Sequence, residues 1–272
     1  MRFAIPLVLA VATSRGVAQS PVIAGPSTGV RAESSFVRLR RPRFGRNTTT
    51  ALLWTLGVSG SIGLVDAPLS VRAQRLGGDD MSLPATIGSF VGGPVPLALG
   101  ASLYALGKGT GSSFTTQTGR EVLRAVLVSG SITALTKGVV GRARPYAAPG
   151  DPDVFSPGRG FTNGALASFP SGHTSAAFAT ATVLARELDQ RHPSSRWIIN
   201  PLLFGSAALV GYSRVYQRQH WPSDVLAGAA LGTITGYEVV SHARGDRSAF
   251  GWHPFSHVSI GVTPAGASLQ WR

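Results

Sequence analysis

The sequence predicts an all-α fold, a bundle of about six helices followed by a short C-terminal β-hairpin. Two observations lead to this prediction. From residue 49 onward, apolar segments of helical length are separated by stretches rich in proline, glycine and charged side chains. Within residues 49–245 we find no run in which apolar and polar residues alternate with the period of two that is typical of strands. The 272 residues are enough for one large domain with a buried core.

Start and stop signals bound the predicted helices. Thr48 to Thr50 precede the first helix, and a polar connector over residues 72–80 follows it. The second segment, residues 84–107, is interrupted by prolines and glycines, and a long loop over residues 143–169 separates the third helix from the fourth. The predicted helices cover about residues 50–67, 84–107, 115–142, 173–188, 197–212 and 222–242.

The two ends of the chain differ from this helical region. Residues 1–18 resemble a secretory signal peptide, in which Arg2 precedes an apolar run that ends in small residues; an uncleaved anchor is the alternative. The following basic linker is interpreted as a solvated tail, with attraction to anionic lipid as the alternative. Residues 258–262 and 267–271 alternate in polarity around a Pro-Ala-Gly turn, which predicts a hairpin. The predicted parts are a signal peptide (1–18), a Pro/Gly/Arg-rich linker (19–48), a helical domain (49–245) and a hairpin appendage (246–272).

Composition favours anionic partners. The formal net charge is +13, carried almost wholly by arginine because Lys108 and Lys137 are the only lysines. This balance suits a phosphorylated substrate or an acidic membrane surface. We expect no nucleic-acid partner, because the sequence has no basic stripe interleaved with aromatic residues and no recognisable binding module. The chain has no cysteine, which excludes disulfides and thiolate metal sites.

The apolar helices raise the question of a membrane. Most uncharged runs have about 13–16 residues, whereas a transmembrane helix needs ~20. Charged residues such as Glu121 and Glu238 would be costly if they faced lipid. We favour an exported protein of the periplasm or cell envelope, with a bundle folded mainly outside the bilayer and in contact with its surface. An integral bundle of short, tilted helices is the alternative.

The stretch SRVYQRQHWPSD, residues 213–224, carries three residues that suit phosphate chemistry. If Pro222 lies in the first turn of a helix, His220 and Asp224 fall on one face. A carboxylate next to an imidazole fixes its tautomer and favours the charged ring, as a nucleophilic or acid–base histidine requires. Arg214 supplies a planar donor fork for a phosphate oxygen. A helix end with a structural His–Asp pair is the alternative interpretation.

Two earlier stretches suit the same chemistry. Lys137 and Arg144 are seven residues apart and share a helix face if the helix extends that far, where they repel unless an anion lies between them. The stretch PSGH precedes an apolar helix whose start presents unpaired N–H groups. There Ser171 can cap the helix, Gly172 lets the backbone approach a ligand, and His173 is placed to transfer a proton. Solvated surface charges and an ordinary capped helix are the alternatives.

The three stretches together form one pattern. It reads K-x6-R-P from Lys137, P-S-G-H from Pro170 and S-R-x5-H-x3-D from Ser213, with every position filled and in order. This pattern resembles the type 2 phosphatidic acid phosphatase family, whose pocket is similar to that of the vanadium haloperoxidases. The resemblance extends over about residues 50–242 and implies a helical bundle in which the three motifs converge on one phosphate pocket.

The resemblance also implies an activity. It implies a metal-independent phosphatase without a cofactor that acts on a phosphomonoester or diphosphate; we expect a lipid such as phosphatidate or undecaprenyl diphosphate. His220 would attack phosphorus and form a phosphohistidine, Asp224 would orient its ring, and His173 would protonate the leaving oxygen and then activate water. The residues implied to bind phosphate are Lys137, Arg144, Ser171, Gly172 and Arg214.

Three other functions are alternatives. A soluble-substrate acid phosphatase would use the same scaffold, and a vanadium haloperoxidase would use the same pocket, although those enzymes are larger than this chain. A non-catalytic envelope protein is disfavoured, because phosphate binding alone does not need both histidines and Asp224. Arg142 lies next to the first motif but off its pattern, and Arg159 lies in the long loop, so we do not expect either at the site.

Overall fold

The structure, a computed structural model, describes residues 63–77, 82–245, 258–263 and 266–271. Over these residues the chain forms seven α-helices, three short 3₁₀ turns and two strands. The α-helices are α1 (Asp66–Gly77), α2 (Ser82–Gly92), α3 (Val95–Thr110), α4 (Ser113–Val140), α5 (Gly172–Arg191), α6 (Arg196–Tyr216) and α7 (Pro222–Ala243).

Helix α5 lies at the centre of the bundle and packs against α4, α6 and α7. Its sequence is rich in alanine and threonine, so its neighbours can approach closely on several sides. Ala179 and Val183 pack with Val122 of α4 and Val240 of α7, and all four are fully buried. On another side, Ala177 packs against α6. The start of α5, which carries the PSGH motif, is therefore surrounded by other helices.

A stripe of glycines brings α7 against the backbone of α5. Gly228, Gly232 and Gly236 are spaced by four residues and so lie on one face of α7. A Cβ atom at Gly228 would lie 2.4 Å from the carbonyl oxygen of Ser171, and one at Gly232 would lie 2.2 Å from that of Ser175. Since both distances are far below van der Waals contact, the approach of the two helices requires glycine.

The predicted mostly helical fold is confirmed, but the number and bounds of the helices differ. Seven helices lie in the described part of the chain rather than about six. Helix α1 continues to Gly77 through most of the expected polar connector, because its arginines Arg72 and Arg75 point into solvent from a regular helix. The segment predicted as one interrupted helix is divided at Gly93 and Pro94 into α2 and α3, which meet at a bend of 49°.

The other boundaries agree more closely with the sequence. The loop over residues 143–169 contains two 3₁₀ turns, Arg159–Phe161 and Gly164–Leu166. The strands β1 (Val258–Thr263) and β2 (Gly266–Trp271) pair antiparallel. The signal peptide, the basic linker and most of the first predicted helix lie outside the described residues.

Two described helical segments are long and apolar enough to cross a membrane. They are Ser113–Val140 and Pro193–Tyr216, and the bent pair α2 and α3 passes the same test as one unit. The expectation that the uncharged runs are too short does not hold for these helices, because each extends past the charges that bound its apolar run. The integral arrangement, stated above as the alternative, is therefore compatible with the helix lengths.

The glycine stripe gives a prediction for stability. We expect Gly232→Ala to lower the free energy of unfolding by about 1–3 kcal/mol, because the added methyl group overpacks against the Ser175 carbonyl. Gly205→Ala in α6 is the matched control: nothing lies within 4 Å of its added Cβ. It should raise stability by up to about 1 kcal/mol through helix propensity alone. Thermal unfolding of both variants checks this, and equal midpoints would contradict the close approach.

Candidate active site

The first group of candidate residues lies at the start of α5. Ser171 is the N-cap residue, but its side chain makes no capping bond; its hydroxyl oxygen instead accepts a hydrogen bond of 2.9 Å from the Thr174 hydroxyl. Ser171 therefore keeps its own O–H as a donor. The Gly172 and His173 N–H groups belong to the first helical turn and have no partner within the helix. His173 is half-buried and lies under the α2–α3 bend: a Cβ at Gly93 would be 3.4 Å from its Nε2.

The second group lies where α4 ends. The helix ends at Val140, and Gly141 follows in the left-handed conformation with φ 62°. The condition for Lys137 and Arg144 to share a helix face is therefore not met, because Arg144 lies in the loop beyond this cap. Both still face the start of α5. Lys137 Nζ donates to the carbonyls of Ala167 (2.6 Å) and Ser168 (3.1 Å).

The loop beyond α4 holds the second cation by its own contacts. Arg144 Nε donates to the Gly164 carbonyl at 2.9 Å, and its Nη1 donates to Gln219 at 2.6 Å. Gln219 directly precedes His220, so this bond ties the first motif to the third. The loop therefore fixes Arg144 in place although no helix does.

The third group lies between α6 and α7. Arg214 is buried in the last turn of α6, and its Nε has no hydrogen-bond partner within the described residues. His220 precedes α7, which begins at Pro222, so the predicted common helix face of His220 and Asp224 is wrong. The two side chains still meet. The Asp224 carboxylate accepts from the Trp221 N–H at 2.9 Å, and its Oδ2 lies 3.6 Å from His220 Nδ1.

The starts of α5 and α7 bring these groups together. The Ser171 N–H donates to the Asp224 carbonyl at 2.9 Å. Burial, together with the nearby charges of Arg214, Lys137 and Arg144, lowers the pKa of His173 to about 4. His173 of the second motif and the cations of the first and third motifs thus act on one another. The site is a cationic pocket with a neutral histidine, which suits an anion.

His220 is also neutral at ordinary pH. Its burial lowers the pKa to about 3, although Asp224 acts in the opposite direction. A neutral imidazole has a free lone pair, as a nucleophile requires. Nδ1 is the ring nitrogen on the Asp224 side, so Nε2 is the nitrogen left for a substrate. The distance of 3.6 Å is longer than a hydrogen bond, and Nδ1 has no partner within the described part of the chain.

Two residues near Asp224 were not predicted from the sequence. Arg142 contacts Asp224 directly, and Asp66 contacts Arg142. Arg142, which we did not expect at the site, is buried and donates from Nη1 to Asp224 Oδ1 at 2.7 Å. Its Nη2 donates to Asp66 Oδ2, also at 2.7 Å. Asp66 is fully buried and accepts from the backbone N–H and the hydroxyl of Ser223. Arg159, by contrast, is exposed in its 3₁₀ turn, as expected.

A signal for Arg142 was present in the sequence. It lies two residues before Arg144, within the unspecified positions that separate Lys137 from Arg144 in the first motif. For Asp66 no local signal exists, because it lies 157 positions from its partner Ser223.

The carboxylate of Asp224 is ionised in this setting. Burial raises its pKa, but the interactions with His220, Arg142 and the Ser168 hydroxyl together lower it below the ordinary value. Ser168 donates to Asp224 Oδ2 at 2.5 Å. No group of three or more His, Asp or Glu that could hold a metal ion occurs in residues 63–77 and 82–245.

The bundle and its site define a class of protein: a mostly helical fold in which two neutral histidines and three cations, Lys137, Arg144 and Arg214, lie close together. Residues 119–248 of the chain match the model of the PAP2 superfamily.

Relatives and a solved structure agree with this match. The lipid A 1-phosphatase of Porphyromonas gingivalis is 34% identical over 143 residues, which are 52% of this chain and 27% of the relative. Lipid phosphate phosphatase 2 of Arabidopsis thaliana is 33% identical over 162 residues, 51% of this chain and 55% of the relative. The chain thus spans about a quarter to about half the length of these relatives.

The fold has a counterpart in a crystal structure. It is that of the first transmembrane PAP2 type phosphatidylglycerolphosphate phosphatase from Bacillus subtilis, with a TM-score of 0.52. The two chains are 22% identical, and the match covers 73% of this chain and 96% of the other. At this identity the likeness establishes the fold.

The electrostatics of the site give a second prediction. After burial, Arg214 makes the largest contribution to the lowered pKa of His173, so Arg214→Gln should raise this pKa from about 4 towards the ordinary 6.5. Burial remains, so the shift should be partial. NMR titration of the His173 ring measures it. Arg159→Gln, which removes an exposed arginine, is the matched control and should leave the titration unchanged. Equal titration curves for the two variants would contradict the predicted pocket.

Proposed function

We propose that this protein is a metal-independent phosphatase that hydrolyses a lipid phosphomonoester or diphosphate through a phosphohistidine. One observation carries the proposal. Neutral His220, backed by the ionised Asp224, lies in one pocket with His173 and three cations, of which Arg214 has an unpartnered buried Nε. A buried cation with an unsatisfied donor is costly unless an anion binds to it.

The proposed first step forms the phosphoenzyme. His220 Nε2 attacks phosphorus, and the bond from phosphorus to the leaving oxygen breaks. His173 donates a proton to that oxygen. The ring of His220 becomes positive as the P–N bond forms, and the Asp224 carboxylate stabilises this charge. The negative charge of a bound phosphate opposes the effect of the cations on His173, so its pKa rises and the ring can carry the proton that it donates.

The second step releases phosphate. His173, now neutral, takes a proton from a water molecule whose oxygen attacks phosphorus, and the P–N bond breaks to regenerate His220. Lys137, Arg144 and Arg214 stabilise the phosphoryl oxygens throughout, together with the N–H groups at the start of α5. Ser171 donates its hydroxyl to the same group. Catalysis then rests on positioning and charge stabilisation, as phosphoryl transfer generally does.

An apolar crevice next to the pocket supports a lipid substrate. A cavity of about 350 Å³ lies between α2 and α6, and one of about 210 Å³ lies between α2, α3, α5 and α6. Both are lined by Val91, Ser206 and Val210. Val210 contacts Gly92, which in turn contacts His173. The crevice thus begins beside the proposed proton donor, where a hydrocarbon chain attached to the phosphate would extend. The names of the two relatives given above also specify lipid phosphates.

Exposed apolar side chains support membrane association. Leu127, Leu135 and Val139 are more than half exposed on α4, as are Ile198 and Leu209 on α6. These are the two helices long enough to span a bilayer, and such surfaces on a soluble monomer would favour aggregation. We propose that these faces contact lipid in the cell envelope, and that the first 18 residues direct export.

Phosphate release by the purified full chain, in EDTA, tests the function. The substrates are phosphatidate, undecaprenyl diphosphate and a soluble aryl phosphate. We expect release from at least one lipid, and we expect His220→Ala to abolish it. Release from the aryl phosphate alone would contradict the lipid assignment and favour an acid phosphatase. No release from any substrate would contradict phosphatase activity, and halide oxidation with vanadate would then be measured.

The same assay tests the crevice. Ser206→Trp should fill it and raise KM for the long-chain lipid, while KM for the aryl phosphate stays unchanged, because only the lipid extends beyond the phosphate pocket. Ala208→Trp is the matched control, since Ala208 is exposed on the same helix and lines neither cavity. An equal effect of Ser206→Trp on both substrates would contradict this role of the crevice.

A further inference from the structure

We infer that Arg142, itself held by Asp66, is a positioning residue that fixes the Asp224 carboxylate against His220. This inference rests on the proposed function, because it assigns Arg142 to the same reaction. Neither residue belongs to the three motifs. Both act through Asp224 and need not touch the substrate.

The geometry of Arg142 is that of a buried clamp. It is 4% exposed, while Asp66 and Asp224 are 0% exposed. Arg142 donates four hydrogen bonds: from Nη1 to Asp224 and to the Ser223 hydroxyl, from Nη2 to Asp66, and from Nε to the Pro152 carbonyl. Four of the five N–H donors of the guanidinium are therefore used within the protein. None of these bonds points towards a substrate.

The clamp leaves Asp224 one orientation. Its Oδ1 accepts from Arg142, and its Oδ2 accepts from Ser168 and from the Trp221 N–H. With these bonds made, Oδ2 is the oxygen that lies on the His220 side. A rotation of the carboxylate would break three hydrogen bonds in a buried environment, where unpaired polar groups are costly.

Asp66 has a corresponding role for Arg142. It binds Nη2 of Arg142, and it also accepts from the backbone N–H and hydroxyl of Ser223 in the first turn of α7. Helix α1 is thereby tied to the start of the helix that carries Asp224. A bidentate bridge between two carboxylates needs the planar fork of arginine, and lysine offers only a point charge.

Charge makes the clamp more than a structural contact. The cation of Arg142 lies between two buried carboxylates that would otherwise repel each other. Its removal should raise the pKa of Asp224, because a nearby cation favours the ionised form. A protonated Asp224 cannot stabilise a positive His220 ring. Activity at acidic pH should therefore be lost at a higher pH in the variant than in the wild-type chain. The other titratable groups near Asp224 are neutral His220 and the charged Lys137, Arg144 and Asp66.

The test measures kcat, KM and the pH profile for a soluble aryl phosphate in two variants of the full chain. We expect Arg142→Met to lower kcat on the order of 10- to 100-fold with KM nearly unchanged, as for other residues that orient a catalytic group. Arg142→Lys should recover only part of the loss. In Arg142→Met the acid limb of the kcat profile should move to higher pH, and in Arg142→Lys, which keeps a cation, it should move less.

A double-mutant cycle shows whether Asp66 acts through Arg142. Asp66→Asn keeps the shape of the side chain, so this variant still tests the clamp if Arg142→Met fails to fold. We expect it to lower kcat in the wild-type background and to have no further effect in the Arg142→Met background. Additive effects of the two substitutions would overturn the role given to Asp66.

Arg244→Met is the matched control. Arg244 also binds a buried carboxylate, that of Glu187, but Glu187 is 14 residues from His173 along α5, a distance of about 21 Å. This variant should lose stability without a change in the pH profile. If the wild-type chain is active and Arg142→Met keeps the wild-type kcat and the wild-type acid limb, the inference is overturned but the proposed function is not. An inactive wild-type chain would overturn the proposed function and the inference together.

Discussion

The close approach of α7 to α5 is the constraint on which the site depends. Glycines at Gly228 and Gly232 let the two backbones touch, and the Ser171 N–H bonds to the Asp224 carbonyl where both helices begin. The PSGH turn and the His–Asp pair are remote in sequence, yet this contact places them side by side. A bulkier residue in the stripe would separate the helices and, with them, the two halves of the pocket.

The electrostatics of the pocket follow from this packing. Burial makes both histidines neutral, and the same burial leaves cations such as Arg214 with unsatisfied donors. An anion with several acceptor oxygens relieves that cost. Next to His220 the negative charge is that of the Asp224 carboxylate, which neighbouring groups keep ionised. The pocket therefore separates the charge that binds a phosphate from the charge that supports the nucleophile.

The sequence predicted the helical class and the residues that meet in the pocket, because each motif fills its positions in order. It failed where geometry depends on helix ends. Lys137 and Arg144 would share a face only if one helix reached both, and the left-handed Gly141 ends the helix between them. Asp66 could not be found, since its contacts with Arg142 and α7 span 76 and 157 positions. Long-range buried pairs of this kind leave no periodic signal in a single sequence.

Trapping of the phosphoenzyme tests the central claim most directly. The chain is mixed with an aryl phosphate labelled on phosphorus and quenched after one turnover. A good leaving group needs no proton from His173, so His173→Ala should still form the phosphohistidine and accumulate it, with the label on His220. His220→Ala should carry none. Label retained in His220→Ala, or a His173→Ala chain that turns over without label, would contradict the account.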